Sequence, residues 1–167
     1  FLRHPPPGYH TPGWVPPAVE PGKKAVVRHQ YSPGEMMKTI PFYLIWGSFL
    51  IGSGVGLMVI SQVSPIGQEM AGLSPLVAGG AVTILANFNG IGRPAYGAIS
   101  DRLGRRNALI LAFAIEIVAL LLVLPNATSF AIYAVGVSLI GFSYGGFLAL
   151  MPTITADFFG SKNIGNN

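Results

Sequence analysis

Four long apolar runs leave this chain little choice of solvent. Residues 40–63, 73–99, 108–124 and 128–151 approach or exceed the roughly 20 residues that a helix rising 1.5 Å per residue needs to cross about 30 Å of hydrocarbon. The first and fourth runs carry no charge, the second carries only Arg93, and the third carries only Glu116. A segment in hydrocarbon must satisfy its own backbone, so each run is expected to be a helix. The third is short at 17 residues, but Arg105 and Arg106 can snorkel at one end and Pro125 closes the other. Composition agrees: 51% of residues are hydrophobic, 10% are charged and mean hydropathy is +0.56. The expected fold class is an all-α membrane protein with four transmembrane helices.

The basic residues set an orientation. Arg3, Lys23, Lys24, Arg28 and Lys38 precede the first span, Arg102, Arg105 and Arg106 separate the second from the third, and Lys162 follows the fourth. The loops expected at 64–72 and 125–127 contain none. The positive-inside rule therefore places both ends of the chain in the cytoplasm, in a bacterial inner membrane. The net charge of +4 is read as topology, so nucleic acid is not an expected partner. Residues 1–39, with eight prolines interleaved with glycine, read as a cytoplasmic linker that forms neither helix nor packed core. The partial bundle is expected over 40–167.

Between the second and third spans lies a compact charged stretch, Gly97-Ala98-Ile99-Ser100-Asp101-Arg102-Leu103-Gly104-Arg105-Arg106. Gly104 suits a tight turn between two helices, and Gly97 suits close helix approach. Asp101 can accept hydrogen bonds from basic side chains or from a facing helix N-terminus. The stretch resembles the signature loop of the major facilitator superfamily, G-x-x-[AS]-D-[RK]-x-G-[RK]-[RK], at Gly97, Ser100, Asp101, Arg102, Gly104, Arg105 and Arg106. A further resemblance covers most of the chain. The strings from Leu2 to Tyr9, Pro12 to Pro17 and Tyr31 to Met36 are similar to the central loop of the oxalate/formate antiporter family. Asn89-Gly90-Ile91-Gly92-Arg93-Pro94 and Met151 to Asn163 are similar to its later helices. The resemblance implies a partial major facilitator fold: a central loop followed by helices 7 to 10 of a twelve-helix transporter, with helices 1–6 and 11–12 outside this sequence. In that setting the charged stretch would latch one conformation of the transporter.

Arg93 is the leading candidate for binding. A cation inside a span costs about 2.5–3.5 kcal/mol on insertion scales, so something must compensate it. Asn89 lies one turn before Arg93 and Gly97 one turn after, on a narrow stripe of small residues. The resemblance implies that this arginine binds a substrate carboxylate, for which a planar guanidinium is well shaped. A salt bridge to an acid elsewhere, or snorkelling, would also account for it. Pro94 cannot donate to the carbonyl of Gly90, which marks a candidate kink or hinge. Glu116 could relay a proton, have a structural partner, or donate a hydrogen bond as the neutral acid. Tyr133, Val137, Ile140, Tyr144 and Leu148 share one face of the fourth span, and the resemblance places Tyr144 in the substrate cavity. Tyr144 could equally be a packing residue. The ridges Ser48-Gly52-Gly56 and Gly141-Gly145 read as helix-packing surfaces.

No catalytic constellation stands out. The chain has no cysteine, and His4, His10 and His29 all lie in the linker, so neither a metal site nor a hydrolytic triad is expected. No cofactor is implied. The expected function is secondary active transport of small organic carboxylates by alternating access, as in an oxalate/formate antiporter, with a small organic anion and the lipid bilayer as partners. The alternatives are a proton-coupled monocarboxylate or other facilitator porter, and a non-transporting membrane sensor whose Pro-rich linker binds a cytoplasmic partner. An enzyme is not expected.

Overall fold

The structure is a computed structural model that describes residues 30–160. The linker reading for residues 1–29 and the position of Lys162 lie outside these residues. Among the described residues every regular element is helical. A short helix, α1 (Pro33–Met36), precedes four long ones: α2 (Ile40–Ala71), α3 (Pro75–Leu103), α4 (Arg105–Val118) and α5 (Phe130–Phe159), with a π-helical turn over Ala119–Val123 extending α4. All four long segments are apolar enough and long enough to cross a bilayer.

Element ends depart from the expected spans because hydropathy reports contact with lipid, whereas helices end on backbone chemistry. The segment expected to be a loop at 64–72 is helical as far as Ala71. Its polar Ser64, Gln68 and Glu69 lower hydropathy without breaking the helix, and Pro65 lies inside it. The stop is Gly72 in the left-handed region (φ 61°), where the amides of Gly72 and Leu73 both reach back to the Gly67 carbonyl. Similarly, the charged stretch is not a loop. Gly97 to Leu103 complete α3, Arg105 begins α4, and the turn is Gly104 alone, at φ 84° and ψ 156°. α5 runs eight residues beyond Met151, through Pro152.

The reading of residues 30–39 as structureless also needs correction. Ser32-Pro33-Gly34-Glu35 forms a helix start, with the Ser32 amide donating to Glu35 Oε2 at 2.8 Å. Tyr31 then docks on the end of α5. Its amide donates to the Phe159 carbonyl at 3.0 Å and its ring meets that of Phe159 edge-on at 5.6 Å. Met36 is buried as a result.

α5 is the centre of the bundle. More than half of its most apolar window, 56%, is buried, against 22% for each of the other three. Two apolar clusters surround it. One joins Val63, Leu85, Leu124, Tyr133 and Ile140 toward the Gly72 end, and the other joins Tyr96, Ala112, Phe147 and Leu150 toward the Gly104 end. Burying such side chains contributes about 1.5–3 kcal/mol each in water, but lipid is as apolar as leucine, so here shape matters more than transfer. Large apolar side chains such as Leu76, Ile40, Met58 and Leu121 face outward. An integral membrane protein accommodates them in lipid or against further helices.

Candidate functional site

The seam between α3 and α5 positions the candidate binding residues. A Cβ on Gly92 would strike the Phe142 carbonyl, and one on Gly145 would strike the Asn89 carbonyl. One on Gly141 would stand 2.5 Å from the Leu85 carbonyl. Backbone therefore lies against backbone, which only glycine permits. Ala81, Leu85, Gly92, Tyr96 and Ser100 form the buried stripe of α3. Arg93, one residue past Gly92 and so turned about 100° from it, is exposed. Among the described residues Arg93 has neither an acidic partner nor a hydrogen bond.

Asn89, one turn from Arg93, is half-buried and its side chain makes no hydrogen bond within the described residues. The small-residue stripe beside it is not a packing surface here, since a Cβ on Gly90 or Gly97 would meet nothing within 4 Å. Pro94 lies within an unbroken α3. Tyr144 is half-buried on the α2 side of α5, where its ring covers Gly56; a Cβ there would come within 2.5 Å of Tyr144 Cδ2. The structure thus groups Asn89 with Arg93, while no hydrogen bond joins either to Tyr144.

The face expected to run from Tyr133 to Leu148 is divided. Tyr133, Val137 and Ile140 are fully buried in the core, and the Tyr133 hydroxyl donates to the Val63 carbonyl across to α2. Leu148 instead lines an apolar cavity of about 380 Å³ between α1, α2 and α5, with Phe42, Trp46, Phe49, Met151 and Phe159. Thr155 is polar, but among the described residues no charged side chain lines this cavity, so none of them complements an anion there.

The hairpin gathers charge at one end of the bundle. Arg105 Nη1 donates to Asp101 Oδ1 at 2.8 Å and also to the Ser100 hydroxyl, while Arg105 Nε donates to Asp157 Oδ2 at 3.3 Å. Ser100 is buried and donates in turn to the Gly97 carbonyl at 2.8 Å. One guanidinium fork therefore ties the ends of α3, α4 and α5 together. Arg102 and Arg106 are exposed and outside this network. Asp157 was assigned no role from sequence, although an acid near the end of the last span, on the side where the basic residues collect, is a visible signal.

Glu116 is 3% exposed on α4 and has no structural partner among the described residues. Its Oε1, the Tyr96 hydroxyl, Ser143 Oγ and Ser53 Oγ are buried there without a hydrogen bond. The described residues contain no group of His, Cys, Asp and Glu able to hold a metal ion.

Three membrane-length helices packed on a glycine-rich fourth, a one-residue glycine turn flanked by charges, and a cation within a span that is unpaired among the described residues define part of an integral membrane bundle. The chain belongs to the Major Facilitator Superfamily, whose family model matches residues 1–166. Among curated relatives it is 30% identical over 158 residues to the oxalate:formate antiporter of Oxalobacter formigenes, covering 90% of this chain and 37% of that one. It is 27% identical over 142 residues to YhjX, an uncharacterized MFS-type transporter of Escherichia coli K12, covering 85% of this chain and 35% of that one. The chain thus spans little more than a third of the length of these relatives.

Proposed function

We propose that this chain forms part of a secondary active transporter that moves small organic carboxylates by alternating access, similar to an oxalate/formate antiporter. The observation that carries the reading is Arg93, a cation inside a membrane span, exposed on α3 and without an acid to pair with in its own bundle. A charge in that position is compensated by a ligand anion, and the guanidinium fork matches a carboxylate. Asn89 adds an amide one turn away, and the relative described as an oxalate:formate antiporter supports the substrate class. Tyr144, one turn before the cavity-lining Leu148, is read as a further contact. The Arg105 network acts as the conformational latch, and the basic end of the bundle faces the cytoplasm of a bacterial inner membrane.

The test is uptake of labelled oxalate, formate, pyruvate and lactate into proteoliposomes holding the full-length protein that carries this chain, beside its Arg93→Gln variant. Saturable exchange by the parent that falls at least tenfold in a folded variant supports the reading. Equal uptake by both removes Arg93 from the binding site.

A further inference from the structure

The most unusual chemistry in the bundle is away from Arg93. Glu116 of α4, Tyr96 of α3 and Ser143 of α5 are each at most 3% exposed where the three helices meet: Ala112, one turn before Glu116, and Phe147, one turn after Ser143, share one apolar cluster with Tyr96. The Tyr96 hydroxyl neighbours Ser143 and lies within electrostatic reach of the Glu116 carboxyl. Yet Glu116 Oε1, Tyr96 OH and Ser143 Oγ make no hydrogen bond among the described residues. Buried polar atoms are nearly always satisfied, so three unpartnered oxygens together point to a ligand.

The surroundings restrict what that ligand can be. From α3 the titratable group within electrostatic reach of Glu116 is Tyr96, and among the described residues no charged side chain of α2, α3 or α5 interacts with it. Arg105, on its own helix, is eleven residues away, about 16 Å along the axis. A carboxylate so placed lacks a counter-charge. Even with both carboxylate oxygens the three side chains offer four, too few for a hard cation, which takes six or more. They suit a proton, with a water molecule bridging where two oxygens stand too far apart to bond. We propose that Glu116, Tyr96 and Ser143 form a proton-binding site inside the bundle, in which the Glu116 carboxyl takes a proton from water and shares it with the two hydroxyls.

A second feature places a movable joint beside this site. Directly after Glu116 the helix widens into the π-helical turn Ala119–Val123, and the Ala119 amide is shared between the carbonyls of Ile115 and Glu116. Such turns relax the helical register and recur at functional sites. Rotation of the Glu116 segment at such a turn would give the proton a way in and out.

The inference does not depend on the transported substrate. Its test is infrared spectroscopy of the full-length protein in liposomes at neutral pH, reading the carbonyl stretch of protonated carboxyl groups. The expected result is a band in the parent that is missing in Glu116→Gln and moved by several wavenumbers in both Tyr96→Phe and Ser143→Ala. No Glu116-dependent band overturns the proposal. So does a band that neither hydroxyl variant shifts, since the proton is then outside the cluster. Should Glu116→Gln fail to fold, the site is read from the two hydroxyl variants and from carbodiimide labelling of the parent, located by peptide mass spectrometry. Labelling at residue 116 supports the site, and its absence there overturns it.

Discussion

At the scale of single residues, two positions bear the hairpin. Gly104 holds φ 84° with ψ 156°, a region that residues with a Cβ enter only at a cost of about 1–3 kcal/mol. Gly104→Ala should lower stability by about that amount in a denaturation series in detergent. Gly90→Ala is the control: it sits in regular helix with open space around it and should be neutral or up to about 1 kcal/mol stabilising. Similar losses in both variants would mean that the turn tolerates a side chain. Arg105 acts through geometry rather than charge alone, reaching Ser100 and Asp101 with Nη1 and Asp157 with Nε. A lysine keeps the charge and loses the fork. Arg105→Lys should therefore raise amide hydrogen exchange at 100–106 and 155–158 nearly as much as Arg105→Gln; protection equal to the parent would make the ion pairs, not the fork, the tie. The isolation of Arg93 is legible in sequence, because a lone charge in an apolar run has few routes to a partner. The convergence of Glu116, Tyr96 and Ser143 is not, since it depends on how three helices rotate against one another.

At the scale of elements, the number and kind of helices can be read from apolar runs, while their ends cannot. A hydropathy reading ends the first span at Val63 because the residues after it turn polar. The helix continues eight residues to Ala71 because nothing stops it before Gly72 adopts positive φ. Pro65 costs one amide donor, which a helix with neighbours can absorb. Cysteine substitution makes this measurable, because this stretch of chain contributes no cysteine of its own. Single cysteines at 67, 69 and 70 in the full-length protein should react with a water-soluble maleimide in helical order, with Glu69→Cys and Met70→Cys exposed and Gly67→Cys protected against Tyr133 and Ala78. Uniform reactivity at all three positions would restore the loop. The π-helical turn after Glu116 is invisible in sequence for a different reason. The run Ala119-Leu120-Leu121-Leu122-Val123 has ordinary helical chemistry, and nothing in its residue types marks the wider turn.

At the scale of the whole molecule, α5 organises the bundle because its glycines let α3 approach to backbone contact, and the remaining helices then cover what is left of its surface. Sequence spacing marks those glycines as packing ridges but does not say which helix they receive. Their partners follow from the fold. The same packing sorts the charges. Among the described residues Lys38, Arg102, Arg105 and Arg106 lie at the end that also holds α1 and the last turn of α5, whereas the opposite end, at Gly72 and 125–129, carries Glu69 and no Lys or Arg. If basic residues near helix ends fix insertion, that distribution fixes one orientation. Met37 and Asn126 are exposed at the two opposite ends and test it. In intact bacterial cells expressing the full-length protein, Asn126→Cys should be labelled by an impermeant maleimide, and Met37→Cys should be labelled only after permeabilisation. The reverse pattern would invert the bundle and place the Arg105 network on the outer face. It would then meet incoming substrate from outside, and a latch at the cytoplasmic end could no longer be assigned to it.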